Sequence, residues 1–188
     1  MGSDRRGFLK IMTSTGLAAV MGPWRLARGQ EKTKPAAGET AQENRAEKAL
    51  ALMGKYGSCC TGVLGAYAPE VGMDMSLAAG AGRGMAGGIG GLGHVCGAVS
   101  GAVLVIGLKT TDENNINDME AGLKTMDTVK EFVTRFEEQH SSIMCRDLIG
   151  YDISTRENIE AAMKAEAYIN CPAYVQSAVT ILDEILRS

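Results

Sequence analysis

The sequence predicts an all-α fold, a small helical bundle in which a glycine-rich loop leads into a central buried helix. Three observations predict it. No β-branched run alternates with polar residues over a useful length, so no strand is expected. Apolar residues recur instead at three- and four-residue spacing, several times just after a Ser, Thr or Asn that can cap a helix. Between Gly80 and Gly93, eight of fourteen residues are glycine. At about 1 kcal/mol each against alanine, that density predicts an irregular segment.

Taken in order, Thr40 and Glu43 make a capping box for a helix carrying Ala46, Ala49, Leu50 and Met53 on one face, broken by Gly54 to Gly57. Ser58 caps a second helix, with Cys59 and Cys60 in its first turn, running through Val63, Leu64 and Tyr67 to Pro69. A short helical piece from Asp74 to Ala79 leads into the glycine loop. From His94 onward, Val95, Cys96, Ala98, Val99, Ala102, Val103, Val105 and Ile106 leave almost no polar face. The segment reads as a helix buried on nearly all sides and ended by Gly107, and at about fifteen residues it is too short to span a membrane. Gly97 and Gly101 share one of its faces and would let another backbone come close. Asn117 and Glu120 cap a long amphipathic helix whose stripe is Met119, Leu123, Met126, Val129, Val133 and Phe136. Ser141 or Ser142 starts a short turn holding Cys145 and Leu148, stopped by Gly150. Ser154 and Glu157 cap the next helix, and Cys171-Pro172 opens the last, with Val175, Ala178, Val179, Leu182 and Ile185 as its seam.

The 188 residues, 22% charged with a net charge of −3, have room for one globular domain. No basic stripe interleaved with aromatics is present, so nucleic acid is not an expected partner. Eleven methionines against three phenylalanines suggest a core filled by flexible, polarizable side chains. At the start, DRRGFLK is followed by an uncharged run from Ile11 to Gly22 and then Ala27-Arg28-Gly29. This resembles a twin-arginine export signal, with Arg5 and Arg6 as its pair and Asp4 standing where Ser or Thr is commoner. The expected organisation is a signal over residues 1–29, a linker over 30–40 and a helical four-cysteine domain over 41–188. Export of the folded chain by the twin-arginine translocase to the periplasm is the expected destination.

Five cysteines stand at 59, 60, 96, 145 and 171, with no CxxC, no CxxCH and no zinc-finger spacing, so any site must be assembled by the fold. On these boundaries Cys59, Cys96 and Cys171 fall in first turns and Cys145 close to one, where the helix dipole favours a thiolate. His94, two residues before Cys96, is an auxiliary candidate as ligand or proton carrier, with a loop histidine as the plainer reading; His140 is expected at a solvated helix end. Arg146 and Asp147 are expected to cap the turn or pair with each other. A phosphate site on the glycine loop is not expected, since no Walker lysine and no preceding strand accompany it. The loop glycines, Gly93 with Gly97 and Gly101, are expected to shape the site by letting backbone pass close to what the cysteines hold.

Cys59 with Val63-Leu64, then Cys96-Gly97-Ala98-Val99-Ser100-Gly101, then Cys145-Arg146-Asp147-Leu148-Ile149-Gly150, then Cys171 opening the final helix, together resemble the redox-active family named for its C, CGAxxG, C and C signature. The resemblance runs from about Ala46 to Leu186. It implies a helical domain, a redox role carried by Cys59, Cys96, Cys145 and Cys171, an unidentified redox partner, and genes often placed near transporters, so a membrane transporter is a candidate partner. A helical domain of split-Soret cytochromes is similar, and there cysteines hold an iron–sulfur centre; the haem motifs of those proteins are missing here, so haem is not implied. Cys60 departs from the pattern, as a fifth ligand, a resolving thiol or a small buried residue. Three readings stay open: an iron–sulfur site for electron transfer, a dithiol–disulfide pair, and a disulfide-stapled or zinc-binding module serving a transporter without redox turnover. The first two make an electron-transfer or thiol redox protein rather than a classical enzyme.

Overall fold

A computed structural model describes the backbone of residues 37–187 and the side chains from Asn44 onward. The expected signal, with Arg5 and Arg6, and the linker up to residue 36 lie outside the described residues. Among the described residues eight α-helices follow in order: α1 (Ala37–Tyr56), α2 (Cys59–Tyr67), α3 (Met75–Arg83), α4 (Gly97–Thr110), α5 (Met119–His140), α6 (Cys145–Ile149), α7 (Arg156–Lys164) and α8 (Cys171–Ile185), with a 3₁₀ turn at Ala68–Val71 after α2. The all-α class is what the sequence predicts. Among the described residues the only extended pairing is a single antiparallel bridge, Val95 with Met144, and no helix is long and apolar enough to cross a membrane.

The most enclosed helix is α2, not α4. Eight of its nine residues are buried, because α1, α3, α4 and α8 all pack on it. Small residues permit this. A Cβ at Gly62 would stand 2.7 Å from the Ala49 carbonyl of α1, and one at Gly82 would stand 2.5 Å from Thr61 Oγ1. The contact predicted for Gly97 and Gly101 is with α2, where added Cβ atoms would come within 3.0 Å of Cys60 N and 2.9 Å of Cys60 O. The far side of α4 stays open: Val103 and Leu104 are half-buried and Leu108 is exposed.

Packing overrides several local expectations. α1 starts at Ala37 rather than at a Thr40 cap and passes through Gly54, stopping where Gly57 takes φ +65°. α3 continues through Gly80 and Gly82, since Gly82 is its contact with α2. α4 passes Gly107 and ends at Thr110, whose hydroxyl donates to the Ile106 carbonyl at 2.8 Å. The cap of α5 is Asp118, whose carboxylate accepts from Glu120 and Ala121 N–H, and that of α7 is Thr155, each one residue beyond the expected cap. Only the C-terminal half of the α5 stripe is covered: Phe136 is fully buried and Val129 and Val133 half-buried, joined by Phe132, which the expected stripe left out, whereas Met119, Leu123 and Met126 are exposed. The methionine-filled core is also corrected. No described methionine is among the fully buried residues; Val, Ile, Leu, Ala, Phe and Tyr fill the core, with Met53, Met73 and Met75 at its edge.

A four-cysteine candidate site at helix N-termini

Ser58 sets the first corner of the site. Its hydroxyl accepts the Thr61 N–H at 3.2 Å and donates to the Gly82 carbonyl at 2.9 Å, which fixes Cys59 as the first residue of α2. The glycine loop sets two more. Cys145 N donates to His94 O at 2.6 Å, Arg146 N to Gly93 O at 3.0 Å, and Cys96 N to Ile143 O at 2.7 Å. With the Val95–Met144 bridge, this short ladder brings Cys96, the N-cap of α4, beside Cys145, the first residue of α6. Gly88, at φ +68°, makes the approach possible, because a Cβ there would lie 2.7 Å from Cys145 Cβ. Cys171 opens α8, with Pro172 at a position where the missing N–H costs nothing.

All four cysteines line one cavity of about 90 Å³, closed by Leu148, Ile149, Tyr168 and Tyr174. Cys96 and Cys145 are buried; Cys59 and Cys171 are half-buried, and all are free thiols. Among the described residues no three His, Cys, Asp or Glu side chains converge tightly enough to ligate one metal ion. The thiols stand on the walls of a cavity and do not form a preformed tetrahedral cage.

Helix N-termini alone do not set the thiol acidities. Cys171 is the one pulled below the ordinary value, by its interaction with the Cys59 side chain against the opposing effect of burial, while the Cys59 thiol stands as a donor to Met53 Sδ at 3.9 Å. Cys59 is correspondingly raised by the interaction with Cys171, by burial and by the neighbouring sulfurs of Cys171, Cys96 and Cys145. Burial raises Cys96, although the Ala98 and Val99 N–H groups at the start of α4 favour its thiolate. Burial first, then the charges of Cys96 and Cys171, push Cys145 up to about 12. The expectation of thiolates at every helix start is corrected: desolvation and mutual repulsion outweigh the helix dipole at three of the four.

Other sequence candidates are placed elsewhere. Cys60 is fully buried, lines no part of the cavity and is pushed up to about 12 by burial and Cys96. His94 is exposed and contributes its backbone carbonyl, not its imidazole. Arg146 and Asp147 do not pair with each other. Arg146 donates to the Gly93 and Leu92 carbonyls, and Asp147 accepts from Ser142 Oγ at 2.9 Å. No contribution from Arg146 lowers Cys145. Gly93, at φ +69°, lies against Arg146, where a Cβ would come 2.9 Å from Arg146 Cβ. The loop N–H groups of Gly90, Gly91, Gly93 and His94 bond to loop carbonyls, so they are not donors to sulfur.

Sequence reasoning missed the tyrosines and His140. Tyr168 and Tyr174 flank Cys171 at three residues on either side, a spacing that puts Tyr174 on the Cys171 face of α8. The Tyr174 hydroxyl donates to the Leu148 carbonyl at 2.9 Å and so ties α8 to α6. His140 is at the helix end expected, as the last residue of α5, but half-buried rather than solvated; its ring lies 4.6 Å from Phe136 and 4.9 Å, edge-on, from Tyr174. Burial lowers its pKa.

Fold and site together define a class: a helical protein presenting four separated thiols, one from each of four helix starts, to a single cavity. Residues 57–185 match the family model described as Putative redox-active protein (C_GCAxxG_C_C), and the chain belongs to that family. No curated protein and no solved structure matches the chain.

Proposed function

We propose that the cavity is a one-electron redox site in which Cys59, Cys96, Cys145 and Cys171 hold an iron–sulfur group. The observation that carries this reading is the convergence of four helix-start cysteines on one cavity. The donor set fits such a group, because a cluster spreads four cysteines over several irons, at most two on each, and does not need three side chains converging on one ion. Four neighbouring thiolates repel one another, which is why the sulfurs raise each other's pKa, and a cationic centre among them reverses that repulsion. Four cysteine thiolates are the usual ligand set of iron–sulfur clusters, which supply a reversible one-electron couple tuned by burial and by hydrogen bonds to sulfur. The chain contributes the Ala98 and Val99 N–H groups beside Cys96 and an apolar wall of Leu148, Ile149 and two tyrosines that limits water. Anaerobic purification with iron and acid-labile sulfide counted per chain tests the reading. Near-equal iron and sulfide, with a visible spectrum bleached by reductant, is the expected result; a colourless, iron-free chain overturns it.

That Cys59 and Cys171 line the same cavity and shift each other's acidity favours a second reading, a dithiol in which these two thiols lose two protons and two electrons to form a disulfide. Thiols that become titratable only after reduction would support it. From the Arg5-Arg6 stretch we propose export of the folded chain through the twin-arginine translocase, and retention of an Arg5→Lys/Arg6→Lys variant in the cytoplasm is the expected result. A membrane transporter remains our proposed partner from the family resemblance alone.

A further inference from the structure

The cysteine cavity shares three wall residues, Gly57, Gly87 and Tyr168, with a second, larger groove of about 590 Å³. That size falls in the range of small-molecule sites, roughly 300–1,000 Å³. Part of its lining is bare backbone: Gly87, Gly90 and Gly91 carry no side chain into it, and a Cβ at Gly90 would meet nothing within 4 Å. Ile159 and Met163 of α7 supply apolar surface, 37% and 64% exposed. Among the described residues one charged side chain lines the groove, Arg83 at the end of α3.

Arg83 is exposed and makes no hydrogen bond or ion pair with another described residue. An arginine at a helix C-terminus ordinarily serves the free carbonyls there. Here those carbonyls already have partners. Gly82 O accepts from Met85 N and Ser58 Oγ, Arg83 O from Ala86 N, and Gly84 O from Gly90 N. The guanidinium is therefore available to the groove, in a chain whose net charge of −3 disfavours anions elsewhere.

We propose that this groove binds a small planar organic anion, its ring system against the glycine backbone and α7 and its acid group on Arg83. That such a ligand is the redox partner of the cysteines rests on the redox reading above; its binding does not. The test is calorimetric titration of the full chain with anthraquinone-2-sulfonate at low salt. Saturable one-to-one binding is expected, weakened at least tenfold by Arg83→Gln and at least tenfold by Met163→Glu, which puts a carboxylate on the apolar wall that the ring system covers. Both positions are exposed, so circular dichroism should be unchanged. Lys164→Gln, on α7 but outside the groove, should leave the affinity as it is. Absence of saturable binding, or affinity indifferent to both groove variants, overturns the proposal. Iron loading measured on the same preparations separates the two readings: an iron-free chain that still binds the anion overturns the cluster alone, and an iron-loaded chain that does not bind overturns the groove alone.

Discussion

At the scale of single residues, the four thiols differ in acidity because of what touches each sulfur. Cys171 is lowered by its interaction with Cys59, while burial raises Cys96 and Cys145. In the reduced, metal-free protein, alkylation followed by mass mapping should label Cys171 first, at a pH below the ordinary thiol value, with Cys145 and Cys60 unreactive until far higher pH. Equal labelling of all five at one pH would contradict this. The same shifts bear on stability. Cys145 and Cys60 keep their protons in the folded chain up to about 12, whereas unfolded thiols lose theirs near 9.0. The folded state therefore binds more protons across that window, so stability falls as pH rises through it and is unaffected by these groups below it. Denaturant midpoints of the reduced protein between pH 8 and pH 11 would read this. Which four cysteines line one cavity was legible in their neighbours, but their acidities were not. Those depend on burial and on sulfurs far apart in sequence. His140 was misread for the same reason, since Phe136 shares its helix face but Tyr174 comes from another element.

At the scale of elements, glycines decide which helices can touch. In α4, Gly101 and Gly107 have the same helix propensity and opposite surroundings. A Cβ at Gly101 would lie 2.9 Å from the Cys60 carbonyl, and one at Gly107 would meet nothing within 4 Å. Gly101→Ala should destabilise by about 1–3 kcal/mol through overpacking against backbone. Gly107→Ala should instead stabilise by up to about 1 kcal/mol. Thermal denaturation of the two variants checks the opposite signs. Gly93→Val combines a positive φ with a collision against Arg146, and should cost the cysteine site its loading while circular dichroism keeps the helical signal. A parallel loss of both would make the loop a folding element only. Helix existence was readable from sequence, and so were the starts at Ser58 and Cys171-Pro172, which act locally, whereas the caps expected at Thr40, Asn117 and Ser154 are not the ones used. Helix ends were less so: Gly54 and Gly107 read as breaks but lie inside helices that packing sustains. The Val95–Met144 bridge leaves no periodic signal at all, being one residue pair long.

At the scale of the molecule, α1, α2 and α8 are held together at the side by a buried polar group. Asp183 of α8, only 4% exposed, accepts from Tyr67 Oη at 2.8 Å and pairs with Arg45 of α1, which also pairs with Glu70. Arg45→Ala leaves that carboxylate buried without its cation and should cost about 3 kcal/mol in chemical denaturation, at the lower end for a buried pair because Arg45 is itself partly exposed. The all-α class was legible because apolar spacing is a whole-chain signal. Which helix sits at the centre was not, since α2 and α4 are both apolar and only the number of neighbours separates them. The central claim is that four cysteines from four helices form one site from which Cys60 is excluded. It is tested most directly by iron content and midpoint potential measured anaerobically on five single Cys→Ser variants. Loss of iron or a displaced potential is expected for Cys59, Cys96, Cys145 and Cys171, with Cys60→Ser matching the parent. A variant among the four that matches the parent, or a Cys60→Ser variant that loses its iron, would contradict the account.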